Sequence, residues 1–280
     1  MLPAERHMRI IPSSGEKIPA IGLGSCLTFA IDVDDEKALN SRIVILREFL
    51  AGGGGLLDSS PMYGVAQQVI GTALKRIADH QGLFSATKVW TSGNRQGFLQ
   101  MEQSRQLWGL KRFDLMQVHN LLDWQTHLPS LHVMKQQHEI RYTGVTTSHG
   151  RRHEKLEHIM RTQSLDFVQF TYNILDREAE KTLLPLAEDR GIAVIINRPF
   201  QRGGLLDKFK HHSLPEWAKD IDCENWAQFF LKFIISHPAV TCAIPATSQL
   251  PHLQENMAAC YGALPDEKMR KQMLSYVKKL

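Results

Sequence analysis

A chain of 280 residues with 43% hydrophobic residues and a formal charge of +4 is long enough for one large α/β unit, and residues 1–280 read as a single domain. The Lys and Arg are scattered, which favours anionic ligands but argues against a nucleic-acid binder, and no run of eighteen apolar residues offers a membrane span. The four cysteines form no CxxC pair and the N-terminus lacks an apolar leader core, so neither secretion nor membrane anchoring is expected, and a reducing, cytoplasmic setting is.

Met8–Ile11 and Lys17–Ala20 flank the turn cluster Pro12-Ser13-Ser14-Gly15, predicting a hairpin ahead of the main fold. Ile21–Ser25 is a short strand whose glycines let a ligand or another backbone come close. It does not open a Rossmann fingerprint, because Leu27 occupies the place of the third glycine. Asp34 or Asp35 caps a helix in which Leu39, Ile43, Leu46 and Leu50 recur at helical steps, ending at Gly52–Gly55. No Gly-Lys-Ser/Thr follows, so these glycines are a stop and not a phosphate loop.

From Leu56 the chain alternates. Strands are predicted over Leu56–Asp58, Phe84–Lys88, Leu115–His119, Arg141–Thr146, Asp166–Gln169 and Ala193–Asn197. Helices fall over Ala66–Ala78, Phe98–Leu107, Leu128–Gln137, Lys155–Arg161 and Glu178–Asp189. Successive strand ends lie 23 to 31 residues apart, the length of a βαβ unit. Arg198–Ile221 reads as irregular. A helix with Trp226, Phe229, Phe230 and Phe233 on one face follows, then strand Val240–Ile244, a helix opened by Thr247-Ser248, and a last helix over Asp266–Lys278. Counting the Ile21 and Val240 strands gives eight units, hence a (β/α)8 TIM barrel with an N-terminal β-hairpin and a C-terminal extra helix. No strong exposed apolar stripe is evident, so a monomer is expected. His149, His153 and His158 lack a carboxylate partner at metal-binding spacing and read, like His211-His212, as solvated positions, with no metal.

Polar residues stand at strand ends that a buried barrel otherwise avoids: Asp58, with Tyr63 in the following loop, Lys88 and His119. Ionisable groups meeting at one mouth suit proton transfer. A Lys ammonium beside a phenol lowers its pKa toward the working range, Asp58 keeps Lys88 charged, and His119 donates to a substrate oxygen. Tyr63 and His119 together can polarise a carbonyl and protonate the alkoxide that hydride attack leaves. The hydride itself has to come from a cofactor.

At these residues the sequence resembles the aldo-keto reductase family, whose tetrad is an Asp, a Tyr five residues on, a Lys and a His at successive strand ends. The match runs from Ile18-Pro19-Ala20-Ile21-Gly22-Leu23-Gly24 through Gly144-Val145-Thr146 to Ile244-Pro245-Ala246-Thr247 and Glu255-Asn256. The resemblance implies Tyr63 as general acid/base, Lys88 and Asp58 as the groups tuning it, and His119 as substrate orienter. It also implies a nicotinamide dinucleotide, NADP(H) with NAD(H) as the alternative, lying across the mouth near Gly24, Ser25 and Asp58. Thr146 and Thr147 stand at the family's Ser-Asn pair and, with Gln169, would hold the carboxamide. Gly203, Gly204 and Leu205 would lie along the pyrophosphate; Thr247, Ser248, Glu255 and Asn256 match the adenosine end. Cys26, Met62, Trp90 and Asn120, neighbours of the tetrad, would line the substrate pocket.

The chain departs from the family pattern at several places. Asn197 stands where many members stack an aromatic ring on the nicotinamide, and Arg198 replaces a small residue; a cofactor phosphate or an acidic substrate is the expected partner of Arg198. Ala246 and His252 occupy the two usual basic positions for the 2′-phosphate, which His252 could still contact. His138-Glu139 replaces a common Gly-Lys. The function expected is hydride transfer between NAD(P)(H) and a small-molecule aldehyde or ketone. The alternative is a non-catalytic dinucleotide-binding regulatory protein of the same fold, and a third reading is a barrel lyase or isomerase acting on a phosphorylated substrate.

Overall fold

The apolar runs become the staves of one parallel sheet, seen here in a computed structural model that describes residues 5–77 and 79–280. Ala78, where the second helix was predicted to end, and the first four residues of the leader segment lie outside the described residues. Ahead of the sheet, β1 (Met8–Ile10) pairs antiparallel with β2 (Lys17–Pro19), with Met8 opposite Pro19. Ile11 and Ile18 beside this hairpin join Phe84, Tyr142 and Phe167, from the beginnings of barrel strands, in one buried cluster. The hairpin therefore plugs the barrel at the end opposite the strand C-termini.

The eight staves are β3 (Leu23–Gly24), β4 (Gly55–Asp58), β5 (Leu83–Val89), β6 (Phe113–Val118), β7 (Ile140–Thr146), β8 (Phe167–Thr171), β9 (Ala193–Asn197) and β10 (Cys242–Ala243). Each pairs in parallel with its sequence neighbour. Bridges from Ile21 to Ala243 and from Gly24 to Ala246 join the first stave to the last. Glycine is required at this seam. A Cβ on Gly22 would stand 2.4 Å from the Leu56 carbonyl oxygen, and one on Gly24 2.9 Å from that of Ile244.

Between the staves run α1 (Glu36–Ala51), α2 (Ala66–Ile77), α3 (Asn94–Trp108), α4 (Trp124–Gln136), α5 (His153–Thr162), α6 (Leu183–Arg190), α7 (Gly204–Phe209) and α8 (Trp226–Ile235); α9 (Leu250–Ala258) follows the last stave and α10 (Glu267–Val277) closes the chain. Asp35 caps α1 by accepting from the N–H groups of Lys37 and Ala38, and Asp266 caps α10 by accepting from Met269.

Three expectations are corrected. The helix predicted over Glu178–Asp189 is broken into a 3-10 turn at Glu178–Glu180 and α6. A continuous helix would put Pro185 in its interior, against the carbonyl of Lys181; restarting at Leu183 leaves the proline in a first turn, where it is tolerated. The stretch Arg198–Ile221 is not all irregular, since it holds α7 and 3-10 turns at Gln201–Gly203 and Glu216–Ile221. Leu205 and Phe209, one turn apart, give α7 a buried face, and the Phe209 ring lies 5.5 Å from that of Phe230. Finally, α8 is buried on every side, not one: all ten residues are buried, Gln228 and Lys232 among them. Phe209 and Trp217 cover it on one side, and Tyr276 of α10 meets the Trp226 ring at 6.4 Å.

Candidate active site

At the C-terminal end of β4 the chain buries a full charge. Asp58 is 2% exposed and Lys88, near the end of the adjacent β5, is 0% exposed. Such burial is tolerable only with compensation. Lys88 Nζ donates to Asp58 Oδ2 at 2.6 Å and to the Ser59 carbonyl at 2.7 Å, while Gln117 Nε2 from β6 reaches Asp58 Oδ1 at 3.3 Å. Burial pushes the Lys88 ammonium below its usual range, with Asp58 opposing that shift.

The Ser59-Ser60-Pro61 turn folds the next loop back over this pair. The Tyr63 N–H donates to the Ser60 carbonyl at 3.0 Å, and the Tyr63 ring comes within 5.2 Å of Lys88 Nζ. His119 follows β6 directly and meets the Tyr63 ring edge-on, centroids 5.8 Å apart. Its Nδ1 lies 2.7 Å from Ser60 Oγ, which also accepts from the Met62 N–H at 3.1 Å. Where the Ser60 hydroxyl donates to Nδ1, the neutral imidazole carries its N–H on Nε2, the tautomer able to donate to a substrate oxygen. Burial, then the Lys88 charge, lowers the His119 pKa to about 2, so the ring is neutral across the physiological range.

For Tyr63 the sign differs from the sequence-based expectation. Burial raises the phenol well above its ordinary range, and the Asp58 carboxylate adds to the rise. Lys88 spends its charge on Asp58 and the Ser59 carbonyl, so its field at the phenol is largely cancelled. Tyr63 is therefore a loaded proton donor at neutral pH, not a half-ionised one.

A cavity of ≈ 770 Å³ opens above these groups. Among predicted residues it brings together Gly24, Ser25, Cys26, Asp58, Met62, Tyr63, His119, Asn120, Thr146, Thr147, Gln169, Asn197, Arg198, Gly203, Thr247, Ser248 and His252. It does not bring in Lys88, which lies beneath the floor, nor Trp90, Gly204, Leu205, Glu255 or Asn256. Trp90 is 41% exposed with its ring 6.4 Å from that of His119, so it flanks the mouth. Leu205 points into the core as part of the buried face of α7, and Asn256 is buried in α9.

Two buried polar atoms in this cavity wall have no hydrogen-bond partner among the described residues: Gln169 Nε2 and Thr147 Oγ1. Orphaned polar atoms are costly unless a ligand satisfies them. A donor from Gln169 and a hydroxyl from Thr147 suit a primary carboxamide, so the residues present fit a nicotinamide head. Thr146 is differently employed, its Oγ1 accepting from the Asn120 N–H at 3.1 Å. Asn197 is tied into the strand ends, donating to the Thr147 carbonyl at 2.8 Å and accepting from Thr171 Oγ1 at 2.7 Å. Arg198 Nη1 lies 2.7 Å from His149 Nε2.

Residues that sequence reasoning missed are Ser60, Gln117, Arg151, Arg152 and Arg202. Gln117 had a signal, being a polar residue two positions before His119 on the inward side of β6. Ser60 lay in the loop between Asp58 and Tyr63. The arginines had none, because their loops carry no periodicity.

Comparison with known proteins adds the following. The sequence model of the aldo/keto reductase family matches residues 20–272. An uncharacterized oxidoreductase of Schizosaccharomyces pombe is 26% identical over 253 residues, covering 84% of this chain and 78% of that protein. An NADH-specific methylglyoxal reductase of Escherichia coli is 26% identical over 196 residues, 60% of this chain and 59% of the relative. Among solved structures, an aldo/keto reductase from Klebsiella pneumoniae in complex with NADP and acetate superimposes with a TM-score of 0.78 at 21% identity, covering 96% of this chain and 94% of that one.

Proposed function

The chain belongs to the aldo/keto reductase family of oxidoreductases, and from that premise we propose that it reduces the carbonyl of a small aldehyde or ketone with a nicotinamide dinucleotide. The observation that carries this reading is the meeting of a buried Asp58–Lys88 pair, a neutral His119 and a protonated Tyr63 beneath one cavity. NADP(H) is the proposed cofactor and NAD(H) the alternative. The Klebsiella protein was solved with NADP, while the Escherichia coli relative is named NADH-specific. We propose further that residues 1–280 act as one catalytic domain, a cytoplasmic monomer.

In this reading Thr147 and Gln169 hold the carboxamide, with Ser25, Gly24 and Gly203 along the cofactor's course. Thr247, Ser248 and His252 meet its adenosine phosphates, and Glu255 and Asn256 stand behind them toward the base. When bound, the reduced nicotinamide supplies the hydride. The substrate carbonyl oxygen sits between the Nε2–H of His119 and the Tyr63 hydroxyl. Both donors are in place before reaction, so they stabilise the developing alkoxide without reorganisation. Tyr63 then gives its proton to that oxygen. The tyrosinate left behind faces the Lys88 ammonium, whose attraction for it is stronger than for the neutral phenol, and the tyrosine is reloaded from water. Asp58 positions Lys88 and balances its charge between turnovers.

The test is direct. The purified protein is titrated with NADPH and NADH by tryptophan fluorescence, then given 4-nitrobenzaldehyde while the nicotinamide absorbance is followed. Turnover that Tyr63→Phe lowers by about 10²- to 10⁴-fold, the usual worth of a general acid, with cofactor binding retained, supports the reductase. Binding without turnover on a broad carbonyl panel would instead point to a dinucleotide-binding regulator.

A further inference from the structure

The mouth of the cavity is ringed by positive charge. Arg151, Arg152, Arg198 and Arg202 all line it, and among the described residues none has a carboxylate within ion-pair distance. The acids lining the same cavity are already engaged: Asp58 by Lys88 at 2.6 Å and Asp207 by Lys210 at 3.2 Å. Four unpaired guanidinium groups crowded around one opening repel one another, and an arrangement of that kind is stabilised by an anion.

Part of this charge lies beside the residues that flank the reacting groups. Arg152 follows β7 at a left-handed backbone position, φ 64°. Its Nη1 donates to the backbone carbonyl of Asn120, the residue next to His119. Asn120 in turn lies against Met62, Nδ2 to Sδ 4.0 Å. Arg152 thus stands beside the Asn120 and Met62 segments of the mouth, two staves round the barrel from β9. Arg202 comes from another loop, after β9, also in the left-handed region with φ 62°. It lines the same cavity as Tyr63 and Cys26, and its charge partly offsets the rise that burial imposes on both groups. Exposed Leu27 and Met62 supply apolar surface between the two.

We infer that the carbonyl substrate bears an anionic group, a carboxylate or a phosphate, which Arg152 and Arg202 bind from two loops of the mouth while Tyr63 and His119 hold the carbonyl. This inference rests on the reductase reading for its reaction, in which the carbonyl gains a hydride from the dinucleotide and a proton from Tyr63. The anion site itself stands on the arginines alone.

The experiment compares kcat/KM for succinic semialdehyde, glyceraldehyde 3-phosphate and neutral butanal, in the wild type and in an Arg152→Met/Arg202→Met variant. A charge-assisted guanidinium contact corresponds to roughly a tenfold to hundredfold preference. The expected result is a preference of that order for one of the two anionic aldehydes over butanal, falling as salt is raised and lost in the double variant mainly through KM. Whichever aldehyde is favoured identifies the anion. Equal use of all three by the wild type, or equal losses on all three in the variant, overturns the inference and assigns these arginines to the dinucleotide. Absence of turnover on all three and on 4-nitrobenzaldehyde defeats the reductase reading instead. The anion site is then judged by fluorescence titration with benzoate against benzamide: benzoate binding that the double variant weakens at least about tenfold upholds it, and equal binding of the two overturns it.

Discussion

Two lysines of this protein are completely buried, and they belong to different worlds. Lys88 sits in the barrel wall beneath the cavity; Lys232 sits in the middle of α8, far from it in the fold. Both are 0% exposed, and burial lowers the pKa of each. Lys88 answers to a carboxylate at 2.6 Å and is overlaid by the Tyr63 ring. Lys232 answers to two backbone carbonyls, Ile221 at 2.7 Å and Ala263 at 3.0 Å, which ties the turn before α8 to the segment before α10. A perturbed ammonium therefore does not by itself mark a reactive site. What distinguishes Lys88 is its company: an ionised partner, a phenol and an imidazole under an open cavity. Lys232 has none of these and acts as a rivet.

The largest loss is expected at Lys88. Lys88→Met leaves Asp58 buried without its partner, which costs about 3–5 kcal/mol of stability, and it removes the charge that receives the tyrosinate. The stability loss is measured by urea unfolding and the turnover by NADPH oxidation. Adding Asp58→Asn should restore most of the stability and none of the turnover; recovery of turnover would show that the pair is structural, like Lys232.

A second way to sharpen it lies in His119, another buried base of the same site. Its folded pKa of about 2 is below the unfolded value near 6.5, so the unfolded chain binds more protons between those limits. Stability contributed by the neutral ring is fully present above pH 6.5 and drains away as pH falls. Between pH 7 and 5 the wild type should lose about 2 kcal/mol that a His119→Asn variant does not, read as the difference in slope of unfolding free energy against pH. His237, lowered to about 4, adds a background slope of the same sign in both proteins. Equal slopes would mean that His119 is not desolvated as described.

The smallest effect is expected at Lys232. Lys232→Met orphans two carbonyls but buries an apolar chain of similar length, for a net cost of about 1–2 kcal/mol. kcat should be unchanged, since nothing of Lys232 reaches the cavity. A loss of kcat comparable to that at Lys88 would erase the distinction between the two.

Much of the fold was legible because short apolar strands and glycine stops repeat at regular intervals; β9, Ala193–Asn197, lies where periodicity puts it. The helix around Trp226 was legible as a helix but not as one buried on every side, because its covering elements, α7 and α10, come from distant sequence. The convergence of Asp58, Tyr63, Lys88 and His119 was readable from their places at strand ends. The sign of the Tyr63 shift was not, because burial and the Asp58 charge act together against a Lys88 charge already spent on Asp58. Ser60 escaped for a related reason: its contact with His119 spans 59 residues of chain, and no local pattern records it.

The glycine seam between β3 and β10 also decides how this barrel could be reshaped. With no room for a side chain at Gly22 or Gly24, that stretch of wall is frozen, and a substitution there would pry the cylinder apart before it altered any ligand contact. Specialisation toward a new reactant has to be written in the overhanging loops, at Cys26 and Leu27 on one bank and Arg152 and Arg202 on the others, where a change of side chain leaves the staves undisturbed.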